Sequence, residues 1–278
     1  MGIKKYSNNE EKSIVEEYVN GASVNLLMEK YGFKTKKSIT DKVKKYYPEK
    51  YKEIVLQAKN NRKDYSININ KINNNFNAYF IGLMLTDGYI INNNSFGITL
   101  TDEDCIQFIS NITQKPYYCY TNKNENNLLE YRITFNDAQQ VQNMKRFGIV
   151  PRKSKIVEPP ELYTEEEQFI PYIVRGIIDG DGCIYSTSKG SPAFYICTMS
   201  YLFADWVRKQ LIEKLFMKDV TIHQRHNDIW IVETALQYNI YKLIALVYDK
   251  PFGMNRKYEF LRKTFRDYNS GNSIFMLD

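Results

Sequence analysis

FIGLMLTDG at residues 80–88 and VRGIIDGDG at residues 174–182 are two versions of one pattern. Each begins apolar, carries glycine third (Gly82, Gly176), continues with two apolar residues and closes on Asp-Gly. The closing aspartates, Asp87 and Asp181, lie 94 residues apart. The segments after the two copies run in parallel, and self-similarity over such a period marks a duplicated structural unit. After Gly88 come a short apolar stretch, an Asn-Asn-Asn turn and an alternating strand at residues 96–100. A helix opening at Thr101 and Asp104, a hairpin (117–120 with 129–135) and a helix opening at Asn136 and Gln139 come next. The second copy predicts strands at 182–185 and 193–198, a helix from Ser200, a hairpin (220–225 with 229–234) and a helix over 236–248. Both copies end alike, in FGIVPRK at 147–153 and FGMNRK at 252–257. The expected class is α+β, two halves related by a pseudo-two-fold axis.

The repeated residues carry a chemical implication. Glycine in a helix interior costs about 1 kcal/mol, so close approach of two helix backbones at Gly82 and Gly176 is the natural offset. Asp87 and Asp181 fall at the helix C-termini, where an anion opposes the helix dipole. Bringing the two together adds repulsion that a divalent cation relieves, and hard cations prefer carboxylate and carbonyl oxygens. A shared Mg²⁺ site clamping a phosphodiester is the expectation. Asp-Gly-Asp-Gly at 179–182 also suggests a calcium loop, but Cys183 stands where that loop needs an oxygen ligand.

Charge divides the chain. Residues 1–63 hold 15 Lys/Arg and 8 Asp/Glu, whereas the remainder holds 23 and 24, so the first 63 account for the whole net +6. Three short helices fit residues 10–47: one near 10–19, a second capped by Ser23 and closed by Gly32, and a third over 36–47 before Pro48. The third helix buries Ile39 and Val43 and presents Lys36, Lys37, Lys42, Lys44 and Lys45. A basic last helix in a three-helix unit is helix-turn-helix-like and suits phosphate contact. The expected division is a module at 1–60, an Asn-rich linker at 61–76 with a candidate short strand at 65–69, and halves at 77–160 and 161–278.

Several classes are set aside. No apolar run reaches the ~18–20 residues needed to span a bilayer, and the N-terminus shows no apolar signal segment. The four cysteines (105, 119, 183, 197) have no Cys-x-x-Cys spacing, which argues against a zinc site or disulfide framework. His223 and His226 form a His-x-x-His without further ligands. The expectation is a cytoplasmic protein with reduced thiols.

The two nine-residue segments resemble the motifs of the LAGLIDADG homing endonucleases, over about residues 76–265. That resemblance implies two αββαββα halves with saddle-shaped antiparallel sheets, preceded here by the helix-turn-helix-like module. It implies a monomer that makes double-strand breaks in a long DNA site, with two or three Mg²⁺ ions between the motif aspartates. Asp87 and Asp181 would then be metal ligands, with the backbone carbonyls of Thr86 and Gly180 as helpers. Lys153 and Lys257 match the family's basic residue beside the site. Asp102, with Thr198 or Ser200, stands where the family orients solvent. The chain departs from the pattern at Leu85, where the second copy has Asp179, and at Arg175, a large residue in a small one's place.

A two-stranded ribbon can enter the major groove. Glu130, Arg132 and Thr134 alternate with Tyr131 and Ile133, and Thr221, His223 and Arg225 alternate around Ile222, so these polar sets would face bases. Two alternatives stay open: an intron RNA maturase on the same fold, and a DNA-binding regulator without catalysis.

Overall fold

The computed structural model describes residues 6–20, 22, 24–55, 67–122, 127–225 and 228–270. The chain forms two compact units, Met1–Tyr65 and Ser66–Asp278.

The first unit holds α1 (Asn8–Val19), α2 (Val24–Tyr31) and α3 (Lys37–Tyr46). Ser7 caps α1 in a capping box: the Glu10 amide donates to its hydroxyl at 3.3 Å, and its own amide donates to Glu10 Oε2 at 2.8 Å. The expected cap of α2, Ser23, lies outside the described residues. Gly32 comes after α2 at φ +70°, the left-handed conformation that lets the chain turn into α3. The core is Ile14, Val15, Tyr18, Leu27, Ile39, Val43 and Ile54, so the helical spacing of apolar residues buries one face of each helix.

In the second unit, α4 (Asn75–Leu85) carries the first motif and α7 (Ile170–Asp181) the second. Asn74 caps α4 through its side chain. The segment before it is not a free linker. Ile67, Ile69 and Ile72 are buried, and the Ile69 amide donates to the Gln140 side chain at 2.7 Å. The Asn-rich composition of 61–76 concealed three well-placed isoleucines. Residues 67–69 form no strand, and Tyr65 and Ser66 lie outside the described residues.

Each motif helix leads into a four-stranded antiparallel sheet of the same topology. The first joins β1 (Gly88–Asn92), β2 (Ser95–Leu100), β3 (Tyr118–Asn122) and β4 (Leu128–Asn136) in the order β1-β2-β4-β3. The second joins β5 (Gly182–Ser186), β6 (Pro192–Thr198), β7 (Thr221–Arg225) and β8 (Ile229–Thr234) in the order β5-β6-β8-β7. Gly88 pairs with Ile98 and, in the corresponding place, Gly182 with Ile196. Period-two alternation turns Ile133 and Phe135 of β4 into the core, where Phe135 stacks on Phe96 at 5.1 Å, and leaves Arg132 and Thr134 on the opposite face.

The remaining helices are α5 (Glu103–Thr113), α6 (Ala138–Asn143), α8 (Tyr201–Glu213), α9 (Gln237–Lys242) and α10 (Asn255–Ser270). The expected openings shift by one position: Asp102 stands at the N-terminal boundary of α5 without a side-chain cap bond, and Asp137 caps α6. The helix expected over 236–248 is α9 followed by a π-helical turn at Leu243–Val247. The connection between the halves is pinned by an ion pair on the buried Glu166, to which the half-buried Arg146 donates at 2.6 and 2.8 Å. Among the described residues no helix is long and apolar enough to cross a membrane.

Candidate active site

The two motif helices meet glycine to glycine. A Cβ on Gly82 would lie 2.8 Å from the Gly176 Cα and 2.2 Å from the Ile173 carbonyl, and a Cβ on Gly176 would lie 2.2 Å from the Tyr79 carbonyl. No residue with a side chain fits at either position without parting the helices. The contact continues to the helix ends, where a Cβ on Gly180 would lie 2.7 Å from Asp87 Oδ2. The last turns of both helices therefore converge, and each presents its final aspartate there.

The electrostatics register the meeting. Asp87 is half-buried and its carboxyl is pushed up to about 6. Burial is the first cause and the neighbouring charge of Asp181 the second, with Lys257 and Lys153 pulling the other way. Asp181 keeps an open face to solvent while protein crowds its other sides, and that crowding raises its carboxyl too, against Lys153 and Lys257.

Lys153 and Lys257 are each only 6 % exposed. Their ammonium groups cap the motif helices from below. Lys153 Nζ donates to the carbonyls of Thr86 (2.8 Å) and Gly88 (2.5 Å). Lys257 Nζ donates to those of Ile178 (2.7 Å), Asp179 (2.6 Å) and Gly182 (2.7 Å). A cation at a helix C-terminus satisfies carbonyls left without amide partners and complements the dipole. Burial lowers the affinity of both lysines for their proton, while the site's carboxylates raise it: Asp181 and Asp87 for Lys153, Asp179 for Lys257. The three donors of Lys257 are all engaged, so it acts on the site through field and position.

The departures from the motif pattern form a structural network. Arg175 and Asp179 are completely buried one turn apart, with Arg175 Nε donating to Asp179 at 3.2 Å. The Arg175 guanidinium stacks on the Tyr248 ring at 3.6 Å and donates to the carbonyls of Val247 and Phe252. Asp179 accepts from Tyr248 (2.7 Å), the Met254 amide (3.2 Å) and Tyr79 of the opposite motif helix (2.9 Å). Arg175 does not loosen the helix contact: it points away from Gly82 and into this network.

Beside Asp181 a cleft of about 270 Å³ is lined by Thr86, Lys153, Cys197 and Thr198 among others. Thr198 thus reaches the site. Ser200 caps α8, accepting from the Phe203 amide at 3.3 Å. Asp102 instead holds Arg256, with Nε at 2.5 Å and Nη2 at 3.0 Å from its two oxygens. Sequence reasoning did not single out Arg256, although it stands next to Lys257.

The sheet faces turned away from the helices carry the polar sets expected there. Arg132 donates to Thr99 (3.2 Å) and to Tyr120 (2.8 Å), and Tyr120 in turn donates to Glu130. Thr134 shares that face. On β7, Thr221, His223 and Arg225 alternate with Ile222 and Gln224; His223 Nδ1 stands 3.8 Å from Glu233, and Arg225 sits 5.9 Å from the Tyr195 ring centre. His226 lies outside the described residues.

In the first unit the lysines of α3 divide into two groups. Lys42 and Lys45 both donate to Glu11 at 2.6 Å, and these contacts hold the Glu11 carboxyl down at about 2. Lys44 lies 4.9 Å from the Tyr51 ring centre. Lys36 and Lys37 are exposed at the start of the helix.

No family model matches the chain, and no curated protein matches it either. Solved structures do. The homing endonuclease I-WcaI bound to its DNA recognition sequence superimposes with a TM-score of 0.52 at 13 % identity, over 68 % of this chain and 87 % of that one. The chain has the LAGLIDADG fold. The LAGLIDADG meganuclease I-AabMI bound to uncleaved DNA gives a TM-score of 0.47 at 12 % identity, over 72 % of this chain and 92 % of that one. Full-length DUF199/WhiA from Thermatoga maritima gives 0.45 at 11 % identity over 72 % of this chain, which spans only 61 % of that protein's length. The α4–α7 pair joins the two halves through Gly82 and Gly176, and the aspartates at its end form the candidate site.

The donor set there suits a hard divalent cation. Two carboxylates converge, and both carry the penalty of burial. Among the described residues no group of three or more His, Cys, Asp and Glu side chains gathers; the side-chain donors the site offers are two carboxylates, whose oxygens prefer hard cations.

Proposed function

We propose that this chain is a site-specific DNA endonuclease that hydrolyses phosphodiester bonds in both strands with the help of Mg²⁺. The reading rests on the convergence of Asp87 and Asp181 at the end of two helices packed through Gly82 and Gly176. Two carboxylates brought together, Asp87 half-buried and Asp181 crowded by protein on all but its open face, are unfavourable without a cation, and a hard divalent cation is the natural partner for both.

In this reading Asp87 and Asp181 hold the cation, with the carbonyls of Thr86 and Gly180 beside them. When bound, Mg²⁺ supplies Lewis-acid activation of water and of the scissile phosphate. In the hydrolysis the water oxygen forms a new bond to phosphorus, one P–O ester bond breaks, and the leaving oxygen takes up a proton. Lys153 and Lys257 fix the helix ends and set a positive field under the developing charge. Thr198 and the mouth of the cleft beside Asp181 admit water to one flank.

Substrate recognition falls to the two sheets and the N-terminal unit. Arg132, Thr134, Thr221, His223 and Arg225 stand on the faces turned away from the helices, at the two-residue spacing that lets a ribbon follow base edges. Lys36, Lys37 and Lys44 offer phosphate contacts, which add affinity and carry no sequence information. Lys42 and Lys45 hold Glu11 and contribute to the fold of that unit first.

The test is cleavage of a randomised duplex library in Mg²⁺, with new ends sequenced. The wild type should yield ends at one long site; EDTA and the Asp87→Asn/Asp181→Asn variant should yield none while the duplex stays bound. Selective binding by the wild type without any cut would overturn the nuclease reading.

A further inference from the structure

The two sides of the site are built from one repeat, yet among the described residues only one of them carries this brace across the halves. Asp102 and Asp104, at the start of α5 in the first half, receive bonds from Arg256 and Asn255 at the start of α10 in the second. Arg256 uses one edge of its fork: Nε and Nη2 contact the two carboxylate oxygens of Asp102 at 2.5 and 3.0 Å. The Asn255 amide donates to Asp104 Oδ2 at 2.8 Å. Asp102 is 10 % exposed, while the Arg256 side chain is 61 % exposed, so the guanidinium is anchored on one edge and open on the other. Asp102 also lies close enough to Asp87 for its charge to act there.

The repeat places Ser200 where the first half has Asp102, since each stands at the N-terminal boundary of the helix after the second strand of its sheet. It then places Leu202 opposite Asp104, and Pro151-Arg152 opposite Asn255-Arg256. Among the described residues none of the bracing bonds has a counterpart. Ser200 and Leu202 offer no carboxylate, and Pro151 has no amide hydrogen to donate. Arg152 is exposed, sits at φ +58° and forms no ion pair among the described residues. The difference lies in residue identity, so it belongs to the chain and not to one arrangement of side chains.

We infer that Arg256 is a phosphate-binding residue, oriented by Asp102, that serves only one of the two DNA strands, so that its loss slows cleavage of that strand and spares the other. A guanidinium fixed on one edge by a carboxylate keeps its outer nitrogen for a phosphate oxygen at little further cost in side-chain freedom. Arg152 must give up that freedom on binding. The inference rests on the endonuclease reading for its kinetic consequence; the phosphate contact stands without it.

The experiment uses the full chain and a duplex recovered from the library, in two arms. In the first, single phosphates on either strand are replaced by neutral methylphosphonates and binding is measured. Wild type should lose affinity at one central phosphate of one strand more than at its mate, and Arg256→Ala should abolish that difference. In the second, each strand is end-labelled and its cleavage followed in Mg²⁺. Arg256→Ala should slow one strand about ten- to a hundredfold and leave the other within about twofold. Asp102→Ala should reproduce part of this loss. Asp102→Asn, which still accepts a hydrogen bond, should restore part of it, a recovery that a general loss of folding would not show. An unchanged interference pattern in Arg256→Ala, or equal slowing of both strands, overturns the inference. Interference that depends on Arg256 without cleavage by wild type supports the phosphate contact and retires the nuclease reading instead.

Discussion

Gly180 and Thr86 occupy equivalent places in the two motif copies and cannot both carry a side chain, because a Cβ on Gly180 would lie 2.0 Å from Thr86 Oγ1. The Thr86 hydroxyl is also committed, donating to the carbonyls of Gly82 and Leu83 at 3.3 and 3.1 Å. At the one point where the helices end together, the pseudo-symmetry is broken by steric necessity.

That relationship predicts the sign of a substitution. In an open helix position Gly→Ala stabilises by about 1 kcal/mol. Gly180→Ala should instead destabilise by about 1–3 kcal/mol through overpacking. Combining it with Thr86→Gly should recover most of the loss, read as a coupling energy in urea denaturation of the four proteins of the cycle. Additive effects would mean that the helix ends do not meet.

The Asp87 carboxyl predicts how metal-free stability varies with pH. Its folded value of about 6 lies above the ordinary 3.8, so the folded chain holds this proton more tightly than the unfolded chain does. The stabilisation is full below about pH 4, is lost as pH rises through about 6, and is absent above. Such a difference corresponds to about 3 kcal/mol, and partial exposure reduces this to about 1–2 kcal/mol. Asp87→Asn should remove this component. The same proton competes with Mg²⁺, so titration calorimetry should find affinity falling steadily below about pH 6 and level above about pH 7.

Lys257→Met should be more damaging than Lys153→Met. The first leaves three helix-end carbonyls without their donor and the second leaves two. Each unsatisfied buried acceptor costs about 1–3 kcal/mol. Thermal denaturation should rank the two variants in that order, and both should bind Mg²⁺ more weakly because the carbonyl ends that carry Asp87 and Asp181 lose their anchor.

In the N-terminal unit, Lys36, Lys37 and Lys44 should differ from Lys42 and Lys45. Replacing the first three together by Ala should lower the dependence of DNA affinity on log salt by about 2–3, roughly 0.9 per lost phosphate contact, with little change in stability. Replacing Lys42 and Lys45 should destabilise the unit, since both hold Glu11. An unchanged salt slope in the triple variant would remove this helix from the DNA interface.

Much of the candidate site was legible in the sequence alone. Gly82, Gly176, Asp87 and Asp181 stand out because a duplicated pattern repeats local chemistry: each copy needs a bare helix face and an acid at the end of its own helix. The alternation in β4 and β7 was legible for the same reason, since neighbours along the chain set the period; the repeat set Lys153 and Lys257 in register, and only the resemblance to the LAGLIDADG motifs gave them a place beside the site. The partners were not. Lys153 and Lys257 meet backbone carbonyls, which every residue type possesses, so no letter in the sequence announces them. Ile67, Ile69 and Ile72 enter the core from a stretch whose asparagines suggest a linker. Asp102 finds Arg256 across 154 residues and Asp179 finds Tyr79 across 100. Contacts at such separations depend on how helices and sheets pack, and packing is decided by the shape of both partners together, not by the pattern of either one.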